Sequence, residues 1–165
     1  FQEQQTEAKV IIQQTGMSEE ERESFLDQFS CPGQRSMVAF AVMGGVFGEG
    51  IDLTGDRLSG AIIVGVGLPQ LCLERNIIRR YFDQTKGLGF EYAYVYPGMN
   101  KVLQAAGRVI RTEADRGVVL LIDDRFDTPL YRNLYPAEWN PISRITGPHS
   151  LSSALRSFWG EGNRQ

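Results

Sequence analysis

The sequence is poor in metal-binding residues and in long apolar segments. Its 165 residues include two cysteines and one histidine, too few for a zinc site or an iron–sulfur cluster of the usual kind. Cys31 and Cys72 are far apart and form no C-x-x-C pair. No run reaches the ~18 apolar residues of a membrane-spanning helix, and the N-terminus lacks the pattern of a signal peptide. We therefore expect no metal site and no membrane segment in this chain, and a reducing, cytoplasmic setting.

Several nucleotide-binding and catalytic motifs are also absent. The chain has no G-x-x-x-x-G-K-[ST] phosphate loop, no H-E-x-x-H and no G-x-S-x-G. The turn Gly65 to Gln70 begins like a dinucleotide fingerprint, but it lacks the third glycine, and Pro69 removes a backbone donor. This pattern favours a plain glycine turn before the helix that follows. A small-molecule-binding α/β domain that uses this turn stays an alternative.

The composition is that of one globular domain with an uneven charge distribution. The net charge is −3, which argues against a basic nucleic-acid coat protein. Residues 1–30 contain seven acids and two bases, whereas residues 74–111 contain three acids and seven bases. Of the 17 basic residues, 14 are arginine, the better side chain for forked contacts to phosphate or carboxylate. Solvated helix faces would explain most of these arginines equally well.

Apolar runs alternate with segments of helical periodicity along the chain. The pattern predicts strands at residues 10–12, 37–43, 61–66, 92–96 and 118–122. It predicts helices at residues 19–29, 71–84, 100–111, 129–134 and 150–159. Continuous apolar strands between helices indicate an α/β fold, with a mostly parallel sheet covered by helices on both faces. We expect residues 1–165 to form one such domain of a longer protein, with residues 140–165 as an irregular extension that ends in the last helix.

The first informative motif follows the second predicted strand and runs from Gly44 to Asp52 (G-G-V-F-G-E-G-I-D). Its four glycines leave backbone N–H groups open to a ligand. Glu49 and Asp52 offer acceptors that suit ribose hydroxyls or a basic partner. A tight turn with a helix-capping acid is an equally good interpretation of the composition alone.

The second motif runs from Gln104 to Arg111 (Q-A-A-G-R-V-I-R). On a helix, Gln104, Arg108 and Arg111 fall at i, i+4 and i+7 on one stripe. Leu103, Ala106 and Ile110 would then face the sheet. Two arginines on one stripe repel each other, so the pattern makes sense if an anion comes between them. A solvated polar face, with Asp115 as a salt-bridge partner, is the alternative.

In this order and separation, the two motifs resemble motifs V and VI of superfamily-2 helicases, and most closely those of the DinG/XPD-type DNA helicases. The flanking segments at residues 112–117 and 123–126 fit the same family. The resemblance covers the chain from about Ser18 to Trp139, and it implies the second, RecA-like lobe of the motor. In that family ATP binds between two lobes, and the second lobe supplies arginines to the γ-phosphate.

The resemblance assigns roles residue by residue. It implies that Arg111 is the arginine finger and Arg108 the second choice for it, with Gln104 orienting the phosphate or the arginines. It implies that Asp52 accepts a hydrogen bond from the ribose, that the backbone at Gly50 lies against the nucleotide, and that Glu49 links motif V to motif VI or to the other lobe.

A nucleic-acid surface is implied around Gly45, whose loop would touch the DNA backbone. Arg75 and Arg79 share a helix face at i, i+4. They would hold phosphates of single-stranded DNA or pair with acids of the first lobe, and the residues leave both options open.

The implied cofactor is ATP with Mg²⁺, shared with an N-terminal ATP-binding lobe of the same protein. A 4Fe–4S cluster, if the parent protein has one, would lie in that lobe. The implied partners are this lobe and single-stranded DNA, and the implied setting is a DNA-repair helicase of the bacterial nucleoid. The chain alone is expected to be inactive. A non-catalytic nucleic-acid-binding or regulatory RecA-like lobe is the alternative.

Overall fold

The computed structural model describes residues 8–29, 36–44, 58–110 and 115–160. The chain divides into two compact units, residues 1–133 and residues 134–165. The first unit contains all the strands and both arginine-bearing helices that matter for function. Each unit is therefore described by itself.

The first unit alternates strands and helices, as the sequence predicts. Its strands are β1 (Lys9–Ile12), β2 (Met37–Phe40), β3 (Gly60–Val64) and β4 (Val118–Ile122). Its helices are α1 (Glu19–Asp27), α2 (Leu73–Lys86), α3 (Tyr96–Ala106) and the short α4 (Pro129–Arg132). A π-helical turn at Glu91–Val95 leads directly into α3, and a 3₁₀ turn at Asp124–Asp127 follows β4.

The described strands pair as two parallel ladders, β1 with β2 and β3 with β4. Ile12 lies opposite Phe40 in the first ladder, and Val64 lies opposite Ile122 in the second. The parallel pairing is the predicted one. The single sheet expected from the sequence is, within the described residues, two sheets of two strands each.

Helix α1 begins where its sequence signal says it should. The Ser18 Oγ accepts the N–H of Glu21 at 3.2 Å, and the Ser18 N–H donates to the Glu21 carboxylate at 2.7 Å. This reciprocal pair is the predicted capping box. The helix turns Phe25 into a small core, where it packs with Ile11, Ala39 and Leu58, so α1 covers the β1–β2 ladder.

The strand predicted at residues 92–96 is wrong, because this segment is helical. Its tyrosines and valine favour strands by composition, but the buried positions recur at Val95, Met99, Val102 and Ala106 with helical spacing. The helix passes through Pro97 rather than ending there. Asn100, predicted as an N-cap, therefore lies inside α3.

Helix α3 and its flanks form the centre of the first unit. Seven of the twelve buried hydrophobic residues of the described chain lie between positions 93 and 109. Helix α3 packs on β3. The helix that bears the second motif is thus a core element, and one face of the β3–β4 ladder, with Ile62 and Val64, stays exposed.

The second unit contains a 3₁₀ turn (Ala137–Trp139) and the last helix, α5 (Pro148–Gly160). The Ser150 Oγ accepts the N–H groups of Thr146 and Gly147, which fixes the start of α5. The predicted final helix is confirmed and is slightly longer than expected. In the part of the chain that the structure describes, no helix has the length and apolar character needed to cross a membrane.

Candidate nucleotide site of a motor lobe

The second motif spans the C-terminal end of α3 and the turn after it. The N–H of Gly107 donates to the Leu103 carbonyl at 2.8 Å, which closes the last α-helical turn. The N–H groups of Arg108 and Val109 then bond three residues back, to Ala105 and Ala106. The helix therefore tightens and ends, because Gly107 and the β-branched residues that follow are weak helix formers.

This ending corrects the helix predicted at residues 100–111. Since α3 stops at Ala106, Gln104 and Arg108 do not lie on one continuous helical stripe. The change of phase also affects which side chain is buried. Val109 is 4% exposed, whereas Ile110, which the helical stripe would have turned to the sheet, is 45% exposed. Ala106 is buried as predicted.

The turn after α3 is anchored at the amino ends of β3 and β4. A Cβ built on Gly117 would come within 2.2 Å of the Val109 Cγ1 and within 3.2 Å of the Ser59 carbonyl oxygen. Gly117 directly precedes β4, and Ser59 directly precedes β3. Only a glycine at position 117 lets Val109 lie this close. The contact fixes the backbone on which Arg108 stands.

Of the six residues assigned to the nucleotide by resemblance, two are described. Gln104 is exposed on the last turn of α3, and Arg108 is half-buried in the turn that follows. Arg111, Asp52, Gly50 and Glu49 lie outside the described residues, and so does Gly45 of the candidate DNA loop.

The beginning of the first motif lies against α3. Gly44 has a φ of +77°, and a Cβ there would meet the Lys101 side chain at 2.7 Å. Lys101 is one helical turn before Gln104. The two motifs therefore approach each other across a contact between a glycine backbone and an aliphatic lysine chain. Lys101 gave no signal in the sequence, because a single lysine on a helix has no distinctive pattern.

A second backbone contact joins α3 to the end of β3. A Cβ on Gly98 would lie 2.6 Å from the Val66 carbonyl oxygen, and one on Gly67 would lie 3.0 Å from the Gly98 carbonyl oxygen. Gly65 and Gly67 both have positive φ, at 84° and 64°. The glycine turn is thus explained by its backbone conformation and by helix packing. This weakens the alternative in which the turn binds a small molecule.

The two arginines of α2 take part in contacts within the chain. The Arg75 Nη1 donates to the Ala93 carbonyl at 3.2 Å. The Arg79 Nε lies 3.6 Å from the Asp83 carboxylate, and both side chains are about half exposed. Asp83 also accepts the Gly89 N–H at 2.9 Å. Arg79 keeps much of its surface open to solvent, whereas Arg75 is directed at the helix next to it.

A bidentate ion pair lies at the carboxyl end of β4. The Asp123 carboxylate accepts from the Arg125 Nε at 2.8 Å and from its Nη2 at 2.7 Å. The hydrogen bonds from the Arg125 side chain lower the pKa of Asp123 from 3.8 to about 2. Since the folded pKa lies below that of the unfolded chain, the pair stabilises the fold above pH 3.8, and this contribution is lost as the pH falls towards 2.

We expect Arg125→Ala to raise the pKa of Asp123 towards 3.8, because the substitution removes both side-chain donors. A carboxyl NMR titration of the folded chain measures the change directly. Arg132→Ala is the matched control, since Arg132 pairs with Asp127 and not with Asp123. An Asp123 pKa that stays near 2 in Arg125→Ala would show that the pair does not set it.

The described residues contain no group of three or more histidine, cysteine, aspartate or glutamate side chains that could hold a metal ion. What the second motif offers instead is an exposed carboxamide and a guanidinium on adjacent turns. These are donors that suit phosphate oxygens. The described part of the site fits the phosphate end of a nucleotide as a set of donors, with no metal-binding acids of its own.

The chain matches the model of one protein family, the helicase C-terminal domain, over residues 1–142. Two curated relatives illustrate the match. The ATP-dependent DNA helicase DinG of Photobacterium profundum is 30% identical over 118 residues, which cover 70% of this chain and 17% of that protein. The Fanconi anemia group J protein homolog of Gallus gallus is 32% identical over 130 residues, which cover 74% of this chain and 9% of that protein.

Solved structures resemble the chain in fold. An XPD helicase structure superposes with a TM-score of 0.57 at 20% identity and covers 76% of this chain and 26% of that one. An apo XPD structure gives a TM-score of 0.54 at 21% identity, with 76% of this chain and 30% of that one covered. The parallel strands and packed helices described above are those of a RecA-like α/β lobe.

The chain therefore belongs to the helicase C-terminal domain family, as the C-terminal domain of a DinG/XPD-type superfamily-2 helicase. It spans between 9% and 17% of the two relatives named above.

Proposed function

We propose that this chain is the second motor lobe of an ATP-dependent DNA helicase and that it supplies arginines to ATP bound between two lobes. The observation that carries the proposal is the motif VI segment, Gln104 to Arg111. It stands at the end of a buried helix that is held in place by Gly98 at one end and by Val109 at the other. Rigid support of this kind is what a residue that must reach a developing charge requires.

Within the site, Arg111 is the proposed finger and Arg108 the second choice, because a guanidinium in place stabilises the charge of the transferring phosphoryl group. Gln104, exposed on the last turn of α3, would orient the phosphate or the arginines. Asp52 would accept from the ribose, with Gly50 against the nucleotide and Glu49 as the link between motifs. The bound Mg²⁺–ATP supplies the reactive phosphoryl group.

The proposed DNA surface includes the loop at Gly45 and the exposed part of Arg79. Exposed guanidinium groups hold backbone phosphates independently of sequence. Arg75 has a hydrogen bond within the chain, so its contribution to DNA would come from its remaining donors.

The partners follow from the family. Relatives of this chain include proteins named as ATP-dependent DNA helicases, and this supports single-stranded DNA as the substrate and a first lobe as the partner. That lobe would contribute the phosphate loop and the Mg²⁺-binding acids, together with any 4Fe–4S cluster. In a bacterial cell such a motor would work at the nucleoid in the cytoplasm, in DNA repair.

We expect the 165-residue chain alone to show no multiple-turnover ATP hydrolysis, with or without single-stranded DNA, because it holds half of a composite site. The full-length protein should hydrolyse ATP and be stimulated by single-stranded DNA. A phosphate-release assay on both proteins, side by side, is the measurement.

Two outcomes of that assay contradict the proposal in different ways. Turnover by the isolated chain would show that the site is not shared between lobes. A full-length protein that binds DNA but hydrolyses no ATP would favour the alternative, a non-catalytic nucleic-acid-binding or regulatory lobe.

A further inference from the structure

Helix α2 holds the segment before α3 at three points. The Asp83 carboxylate accepts the Gly89 N–H, and the Phe82 ring stacks on Tyr92 with centroids 3.9 Å apart. The third point is the Arg75 guanidinium on the Ala93 carbonyl at 3.2 Å, across 18 positions of the sequence. Ala93 is fully buried, so this charged donor reaches into the core.

The Ala93 carbonyl is the one that Pro97 would serve in an ordinary α-helix. A helical carbonyl accepts from the N–H four residues ahead, and proline at that position has no N–H and crowds the carbonyl with its ring. The chain widens here into the π turn, in which the Tyr96 N–H donates to the Glu91 carbonyl, five residues back. Arg75 supplies a donor at the carbonyl that Pro97 cannot serve.

The π turn determines how α3 is rotated about its own axis. An extra residue in one helical turn rotates everything that follows by about 100° relative to an unbroken α-helix. Upstream, the segment is fixed to α2 through Asp83 and Arg75. Downstream, Gly98 is fixed against Val66 and Gly67. The face on which α3 presents Gln104, and the direction in which the chain leaves towards Arg108, depend on this turn.

We propose that Arg75 is a positioning residue for motif VI. By donating to the Ala93 carbonyl it stabilises the π turn, and through the turn it sets the orientation of Gln104 and Arg108 towards the nucleotide. The inference rests on the proposed function, because it assumes that motif VI acts on ATP. It gives Arg75 a different task from the phosphate contact predicted from the charge pattern of α2.

The test uses the full-length helicase with Arg75→Ala, Arg75→Lys and Arg80→Ala. Arg80 is exposed on the same helix, so its substitution removes the same charge without touching the π turn. Two quantities are measured for each variant: steady-state ATP hydrolysis at saturating single-stranded DNA, and affinity for a fluorescein-labelled oligonucleotide as a function of salt.

We expect Arg75→Ala to lower kcat roughly 10- to 100-fold, the scale of a misplaced catalytic group. Its KM for ATP and its DNA affinity should change about twofold or less. Arg75→Lys keeps a donor of nearly the same reach and should recover part of kcat. Arg80→Ala should hydrolyse ATP like the unsubstituted protein.

The opposite pattern overturns the inference. If Arg75→Ala weakens DNA binding and lowers the salt slope by about one, while kcat at saturating DNA is unchanged, Arg75 is a phosphate contact. If Arg75→Ala does not fold, Arg75→Lys carries the same comparison: unchanged kcat with weaker DNA binding refutes positioning. If the unsubstituted protein hydrolyses no ATP, the proposed function itself fails, and this result is distinct from either pattern.

Discussion

Arg111→Ala in the full-length helicase is expected to abolish ATP hydrolysis, with a fall in kcat of about 10³- to 10⁵-fold. This is the range over which an arginine finger accelerates phosphoryl transfer. The loss should fall on kcat, because the guanidinium meets charge that develops in the transition state. Binding of a non-hydrolysable ATP analogue, measured by fluorescence titration, should be largely intact.

Arg156→Ala is the matched control for Arg111→Ala. It removes the same charge from an exposed position on α5 and should leave hydrolysis near the level of the unsubstituted protein. Arg108→Ala tests the second choice in the same assay. Near-normal hydrolysis by Arg111→Ala, with a large loss in Arg108→Ala, would move the finger from the first arginine to the second.

Met99→Ala is expected to lower the free energy of unfolding of the 165-residue chain by about 2–5 kcal/mol. Met99 is 2% exposed and is among the largest fully buried side chains of the described chain. Its removal leaves a cavity at the centre of α3. Because domains of this size are stabilised by only about 5–15 kcal/mol, a substantial fraction of the variant should be unfolded near physiological temperature.

Urea denaturation followed by circular dichroism measures this loss. Leu71→Ala is the control, since Leu71 is 82% exposed and its truncation should change the free energy of unfolding by about 0.5 kcal/mol or less. Equal midpoints for the two variants would mean that Met99 is not close-packed in solution.

Local signals in the sequence predicted the elements that depend on local physics. The Ser18–Glu21 capping box fixed the start of α1, and the apolar run at residues 118–122 matched β4 residue for residue. The family and its RecA-like fold followed from two motifs and their flanks, and the comparisons confirm both. A motif that must present charged groups to a ligand keeps its residue types and spacing, so it is legible without any structure.

The segment before α3 defeated sequence reasoning because two of its signals are overridden by tertiary contacts. Pro97 and Gly98 normally end an element, but here the π turn accommodates the proline, and Gly98 allows backbone contact with β3. The anchors Lys101, Val109 and Gly117 were missed for a related reason. Their importance lies in what they touch across the fold, and residue type alone does not record that. The roles of the individual motif V and VI residues stay predictions.

Helix α3 is held at both ends of its length, and this makes it a stiff rod through the lobe. Its first turns are wedged on Gly67 and Gly44 at the carboxyl ends of β3 and β2, and the turn beyond its last residue is wedged on Gly117 at the amino end of β4. Its 11 residues span about 16 Å. A push along the rod at either edge of the sheet must arrive at the other edge nearly undiminished, so the lobe has a built-in axis along which a displacement can be delivered.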